Sequence, residues 1–155
     1  MNGYEKLEEE AYQNGIHVID YDFNSEKIKG LYCDGIIGLN KNLDSLTEKS
    51  CVLAEELGHY YTTSGNIIDQ SDVMNRKQEL KARFVGYNIR IGVLGLIKAF
   101  EHGCQSYNEV ADYLEVTEEY LKEAIECYTQ KYGTHTVVDN YIIYFIPRLG
   151  IMKMG

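Results

Sequence analysis

Hydrophobic positions spaced three and four residues apart predict that helices make up most of this chain. In the first helix, Leu7, Ala11 and Tyr12 form the inward stripe, and glutamates occupy positions between them. A capping box precedes a later helix at Ser45-Leu46-Thr47-Glu48, where the hydroxyl of Ser45 can bond the amide of Glu48. The pattern predicts helices over residues 3–14, 45–62 and 75–90, a continuation to about residue 100 that breaks near Gly92 or Gly95, and helices over 107–114 and 117–128.

Short runs rich in β-branched and aromatic residues predict strands near both ends of the chain. One strand is expected at residues 16–21. It is followed by a predicted hairpin over residues 30–39, which turns at Asp34-Gly35. A second hairpin is expected over residues 134–145, and its turn falls at Asp139-Asn140.

The predicted elements fall into two regions. Residues 1–100 hold the first strands and the longer helices, whereas residues 101–155 hold a helix-turn-helix-like pair and the second hairpin. Within the first region, residues 63–66 are expected to end a helix and residues 69–72 to form a polar loop. Helices combined with a small antiparallel sheet and a C-terminal hairpin predict an α+β fold.

Size and composition fit a protein of the cytoplasm. With 155 residues and 45% hydrophobic content, the chain can bury the core of one domain or slightly more. Its longest apolar run, residues 91–97, is too short to cross a bilayer, and its first residues lack the pattern of a signal peptide. The four cysteines form no C-x-x-C pair, which favours reduced thiols. We therefore expect a cytoplasmic protein that does not contact a membrane.

The net charge of −9 argues against direct binding of nucleic acid. Affinity for DNA or RNA comes largely from lysines and arginines that neutralise phosphates. In the helix-turn-helix-like pair, the second predicted helix carries one basic residue, Lys122, and four acidic residues. A helix that reads DNA bases needs basic or amide side chains instead. These acidic residues are Glu118, Glu119, Glu123 and Glu126. The expected partners are therefore proteins.

One predicted helix carries a pattern that suits a metal ion, Glu55-Glu56-Leu57-Gly58-His59. Residues four apart lie about 40° from each other around a helix, so Glu55 and His59 can reach one ion. The spacing matches H-E-x-x-H, in which two histidines bind zinc and the glutamate after the first is the general base. A carboxylate can replace the first histidine because its oxygens also bind zinc. The pattern thus indicates ligands at Glu55 and His59 and a catalytic base at Glu56.

Glu79 is the candidate for the third protein ligand that a catalytic zinc site needs. It lies on the next predicted helix, where Ala82 and Gly86 share its face and would let the two helices approach closely. Tyr60 or Tyr61 is a candidate for stabilising the oxyanion of the transition state. A structural role also remains open, because adjacent glutamates on a helix usually form a solvated face.

The residues around this pattern resemble a known family. Residues 53–62, Leu-Ala-Glu-Glu-Leu-Gly-His-Tyr-Tyr-Thr, resemble the Leu-Ala-His-Glu-Leu-Gly-His-Tyr motif of the ImmA/IrrE family of metallopeptidases. Residues 79–84 are similar to the family's helix in which a glutamate three residues before a small residue supplies the third ligand. The resemblance covers residues 1–100 and implies a zincin-like metallopeptidase domain there.

The resemblance implies a metal-dependent endopeptidase in which Glu56 is catalytic and Glu55, His59 and Glu79 bind a divalent metal. Zinc is the metal that the family implies, and manganese is the alternative because Glu55 supplies a harder ligand than imidazole. Family members of phages and mobile elements cleave a helix-turn-helix repressor, so such a regulatory protein is the implied substrate.

Two other functions remain open. One is a catalytically inactive relative that acts as a protein-binding anti-repressor or as a toxin-system component. The other is a regulator that contacts DNA directly, which the charge of the chain argues against.

Overall fold

The structure, a computed structural model, describes residues 2–62 and 72–155, with side chains in the second range from residue 76 onward. The predicted helix end at residues 63–66 and most of the polar loop at 69–72 lie outside the described residues. The chain forms two compact units, Met1–Ile89 and Arg90–Gly155. The boundary near residue 100 between a peptidase domain and a helix-turn-helix-like region stays a prediction.

Helices and strands follow each other in separate runs along the chain, as an α+β fold requires, and that fold class is confirmed. The helices of the first unit are α1 (Gly3–Gln13), α2 (Leu46–Thr62) and α3 (Asp72–Arg90), and its strands are β1 (His17–Tyr21), β2 (Gly30–Cys33) and β3 (Ile36–Asn40). The helices of the second unit are α4 (Gly92–Glu101), α5 (Tyr107–Leu114) and α6 (Glu118–Tyr132), and its strands are β4 (His135–Val138), β5 (Tyr141–Tyr144) and β6 (Gly150–Lys153).

The first sheet has the strand order β1-β3-β2. β2 and β3 form the predicted hairpin, and they pair antiparallel. β1 pairs with β3 in parallel, so the sheet is mixed rather than purely antiparallel. The reason is that β1 lies beside the second arm of the hairpin, which runs in the same direction as β1. Ile37 and Leu39 of β3 are fully buried, which makes this central strand part of the core.

α1 and α2 pack against each other over this core. On α1 the buried positions are Gly3, Leu7 and Ala11, which are four residues apart. Tyr12 was predicted to point inward, but it is 71% exposed. Its position is about 140° around the helix from Leu7, so it cannot share the stripe that Leu7 and Ala11 form.

α2 begins directly after Ser45, the first residue of the predicted capping box. The hydroxyl of Ser45 accepts a hydrogen bond from the backbone N–H of Glu48 at 3.1 Å. The carboxylate of Glu48 lies 3.9 Å from Nζ of Lys29. The helix then continues without interruption to Thr62, and most of its middle positions are buried. This fixes the rotation of α2 and so determines which side chains reach the site described below.

The second unit contains the helix-turn-helix-like pair, α5 and α6. Thr117 caps α6 by accepting a hydrogen bond from the N–H of Tyr120, and Glu115 between the helices adopts a left-handed backbone with φ of 59°. The predicted hairpin is present as β4 and β5, and β6 adds a third strand that was not predicted. Ile151 of β6 pairs with the buried Ile143. The residues of β6, Gly150-Ile151-Met152-Lys153, do not alternate between apolar and polar, so the sequence shows no strand period there.

Within the ranges that the structure describes, no helix is both long and apolar enough to cross a membrane.

Candidate metal centre

The two ends of the predicted metal motif lie on α2, one helical turn apart. Glu55 and His59 are both half-buried, and so is Glu79 on α3. The positions around them on α2 are deeply buried and include Ala54, Leu57 and Gly58. Burial of these neighbours holds the helix in place, while Glu55 and His59 keep partial access to solvent.

α2 and α3 approach each other at small residues. A Cβ atom added to Gly58 would collide with the carbonyl oxygen of Ala82, and one added to Gly86 would lie 2.9 Å from the carbonyl oxygen of Ala54. Both obstacles are backbone atoms, which cannot rotate away as the end of a side chain can. The close approach that the sequence predicted for Ala82 and Gly86 is confirmed. It also brings Glu55 beside α3, since its Cα lies 3.3 Å from the added atom at Gly86.

The three predicted ligands come together at this crossing. One ligand atom from each of Glu55, His59 and Glu79 can be chosen so that all lie within 4.8 Å of one another. Nε2 of His59 and Oε2 of Glu79 are 3.4 Å apart. Two ligands of a tetrahedral zinc ion, with bonds of about 2.0–2.1 Å, are about 3.3 Å apart. This pair therefore already has the separation that a shared ion requires.

The chemistry of these side chains fits a divalent cation. One imidazole nitrogen and two carboxylate oxygens are donors that zinc accepts, and three protein donors leave a tetrahedral ion one open position. Compared with two histidines and one glutamate, Glu55 exchanges a nitrogen donor for a harder oxygen donor, which favours ions such as manganese. It also adds one negative charge to the site.

Glu56 is the buried acid of the site, with only 8% of its surface exposed. The backbone N–H of Tyr32 on β2 donates a hydrogen bond to its carboxylate. Burial raises the pKa of Glu56 to about 7; His59 opposes this shift, and the charges of Glu55 and Glu79 add to it. A carboxyl group whose pKa lies near neutrality can both accept and return a proton, as a general base must.

β2 passes close to Glu56 because residue 30 is a glycine. A Cβ atom at Gly30 would lie 2.7 Å from Cγ1 of Val52 and 3.2 Å from Cγ of Glu56. In the strand order β1-β3-β2, β2 is at the edge of its sheet. The candidate base is therefore next to a strand with an unpaired edge among the described elements.

A further charged side chain at the site was not among the predicted residues. Arg83 lies one turn after Glu79 on α3. Its Nε donates to Oε1 of Glu79 at 3.3 Å and lies 4.0 Å from Oε1 of Glu55. Burial acts to lower the pKa of Arg83, but the two carboxylates outweigh it and the pKa is raised. The spacing of four from Glu79 was the available sequence signal, although it does not reveal the contact with Glu55.

Tyr61 does not fit the role of oxyanion donor that the sequence suggested for it. Its hydroxyl donates to Oε2 of Glu10 at 2.9 Å and accepts a hydrogen bond from the amide of Asn14 at 3.2 Å. Burial, together with the hydrogen bond to Glu10 and the charge of Glu10, raises the pKa of Tyr61 to about 12. This hydroxyl therefore ties α2 to α1. Tyr60 packs edge-on against the rings of Tyr32 and Tyr61.

The comparison with known protein families agrees with this geometry. Residues 11–126 match the family model of the IrrE N-terminal-like domain, Peptidase_M78. The chain belongs to this family. The matched range of this IrrE-like protein includes α2, and it includes α3 with Glu79 and Arg83. The family gives the protein a metallopeptidase-type function and implies a divalent metal. No curated protein and no solved structure matched the chain.

Proposed function

We propose that the protein is a metal-dependent endopeptidase that cleaves a regulatory protein. The observation that supports this most directly is the convergence of Glu55, His59 and Glu79 within 4.8 Å, next to the buried carboxyl group of Glu56. Exposed acidic groups often cluster without binding a metal. Here the cluster lies where α2 and α3 cross so closely that backbone atoms leave no room for a side chain at Gly58 or Gly86. The chain also belongs to a peptidase family.

In the proposed mechanism, Glu55, His59 and Glu79 hold the metal, and we propose zinc. When bound, the ion would act as a Lewis acid on the scissile carbonyl and make the attacking water more acidic. Glu56 accepts a proton from that water at its carboxylate and later donates it to the nitrogen of the leaving amine. The N–H of Tyr32 donates a hydrogen bond that orients the carboxylate, and burial raises the pKa of Glu56.

An extended segment of the substrate would pair with the open edge of β2. Strand addition at a sheet edge uses backbone hydrogen bonds and therefore accepts varied sequences. Because Gly30 lets β2 lie close to Glu56, a peptide bound along this edge would pass near the base. Leu31 on the same strand is 54% exposed and offers an apolar contact to such a peptide.

We further propose that the substrate is a helix-turn-helix repressor of a phage or mobile element, cleaved in the cytoplasm. DNA-binding proteins present basic surfaces, and this chain carries a net charge of −9. Opposite charges speed the encounter of the two proteins. Cleavage of such a repressor would release the genes that it silences.

The test compares Glu56→Gln with the wild type in cleavage of a candidate repressor, followed by mass spectrometry. We expect the variant to lose cleavage by at least about a hundredfold, as general bases typically contribute about 10²–10⁴-fold. Its metal content and thermal unfolding should remain those of the wild type. A matched control is Glu48→Gln, which removes a carboxylate from the same helix, beside Lys29. Full activity in Glu56→Gln would refute the assigned base.

The second candidate function is a catalytically inactive relative that binds a repressor or a toxin-system partner without cutting it. Glu55 favours this alternative, because two carboxylates neutralise a divalent ion and weaken it as a Lewis acid. A protein that binds both metal and repressor, yet leaves the repressor intact in both zinc and manganese, would support it.

A further inference from the structure

We propose that Arg83 is a positioning residue that holds Glu79 and Glu55 in the arrangement that binds the metal. This inference rests on the metal site of the proposed function and extends it to a residue that binds neither metal nor substrate. Its basis is that Arg83 forms ion pairs with glutamates from two different helices, α2 and α3.

The two carboxylate oxygens of Glu79 have different partners. Oε2 lies 3.4 Å from Nε2 of His59, whereas Oε1 accepts the hydrogen bond from Nε of Arg83 at 3.3 Å. The oxygen beside His59 is thus left to act as a ligand while the other oxygen is held by Arg83. Arg83 therefore orients Glu79 without competing for its ligand atom. Such partners of metal ligands typically contribute a factor of about 10–100 to metal affinity.

Glu55 is the second carboxylate within reach of the guanidinium. Its Oε1 lies 4.0 Å from Nε of Arg83, although the two residues are on different helices. A planar guanidinium has five donors in a fixed fork, so it can face two carboxylates at once, which an ammonium group does less well. Arg83 thus links the two glutamate ligands across the helix crossing.

The charge of the site gives an independent reason for a cation at this position. Two histidines and one glutamate around a divalent ion leave a net charge of plus one. With Glu55 in place of one histidine, the same sum falls to zero. The guanidinium of Arg83, 4.0 Å from Glu55, returns it to plus one. Arg83 therefore compensates locally for the negative charge that Glu55 adds.

The experiment measures the affinity of metal-free protein for Zn²⁺ and Mn²⁺ by calorimetry. We expect Arg83→Gln to raise both dissociation constants by about tenfold or more, because Glu79 and Glu55 lose their common partner. The matched control is Lys81→Gln. It removes the same charge from the same helix, at an exposed position two residues from Glu79 and from Arg83 that faces elsewhere. An unchanged or tighter dissociation constant in Arg83→Gln would overturn the proposal.

A double variant separates positioning from a general structural effect. If Arg83 acts through Glu79, then Arg83→Gln should weaken binding much less when Glu79→Gln is already present. Equal losses in both backgrounds would mean that Arg83 acts independently of Glu79, and the proposal would fail. Should Arg83→Gln not fold, Arg83→Lys replaces it. That variant keeps the charge and lacks the Nε donor, so a several-fold weaker affinity supports positioning and an unchanged affinity refutes it.

His59→Ala distinguishes failure of this inference from failure of the proposed function. If His59→Ala binds Zn²⁺ as tightly as the wild type, the metal is not at this site and both proposals fail. If His59→Ala loses binding while Arg83→Gln keeps it, the metal site stands and only the role of Arg83 is wrong.

Discussion

In the predicted correspondence with H-E-x-x-H, Glu55 takes the place of the first histidine, and one of its carboxylate oxygens lies within 4.8 Å of a ligand atom of His59 and of Glu79. The spacing of four residues on a helix is a property of the backbone, so it survives a change of side chain. What changes is the donor atom and the charge. At the scale of single residues, we therefore expect Glu55 to affect which metal the proposed site prefers more than whether that site can form.

Restoring the histidine tests this conclusion. In Glu55→His, we expect affinity for Zn²⁺ to rise relative to Mn²⁺ by about tenfold, because imidazole is a softer ligand than a carboxylate. The measurement is the ratio of the two dissociation constants by competition with a chelator. Glu48→His, on the same helix but beside Lys29, should leave the ratio unchanged. An unaltered ratio in Glu55→His would mean that position 55 does not contact the metal.

The sequence identified the residues of the cluster but not all of their neighbours. Glu55 and His59 follow from spacing within one helix, and Glu79 from the small residues that share its face. Arg83 was missed because its contact with Glu55 joins two helices, which no local spacing reveals. The role suggested for Tyr61 failed for the same reason, since Glu10 on α1 holds its hydroxyl.

At the scale of elements, the crossing of α2 and α3 decides whether the site exists. Gly58 and Gly86 face backbone atoms of the opposite helix, so neither position has room for a methyl group. The two helices supply the proposed ligands from both sides of this crossing, Glu55 and His59 from α2 and Glu79 from α3. A small increase in their separation would move Glu79 away from His59 while leaving each helix intact.

Gly58→Ala is therefore expected to destabilise the protein and weaken metal binding together. Overpacking typically costs about 1–3 kcal/mol, and here the obstacle is the carbonyl oxygen of Ala82, which is part of the backbone. The measurements are thermal unfolding and metal content. The control is Gly95→Ala in α4, where the added atom would make an ordinary contact at 3.5 Å with Leu114. It should be neutral or stabilising by up to about 1 kcal/mol. An unchanged melting temperature in Gly58→Ala would contradict the close approach of α2 and α3 at this position.

At the scale of the whole molecule, the excess of acidic residues affects the choice of binding partner more than any single ion pair does. The net charge is −9, and the glutamates of α6 lie on its exposed face. Lys122, on the same face, lies 3.3 Å from Glu118. The proposal of a basic protein partner rests on this surface, and so does the expectation that DNA is not bound directly.

Salt should therefore slow the encounter with a repressor. Using Glu56→Gln to prevent cleavage, we expect the association rate to fall by about tenfold or more between about 0.05 and 0.5 M NaCl, as screening shortens the reach of charges. Surface plasmon resonance measures this rate. An association rate that does not depend on salt would show that opposite charges do not drive recognition of the repressor. Salt-sensitive binding to duplex DNA would instead favour a regulator that contacts DNA directly.

The sequence by itself determined the types and approximate bounds of most elements, because capping residues and hydrophobic periods act within a few residues. It also determined that the proposed ligands Glu55 and His59 lie one helical turn apart on α2, since the helix fixes their spacing. Only the tertiary structure decided that β1 pairs in parallel with β3, that β6 joins the second sheet, and that Arg83 spans Glu55 and Glu79. The pairing of β1 with β3 and the contact of Arg83 with Glu55 join segments that are distant in the chain, and no local pattern of residues encodes such a contact. β6 lies close to β5 in the chain, but its residues do not alternate between apolar and polar, so no strand period marks it.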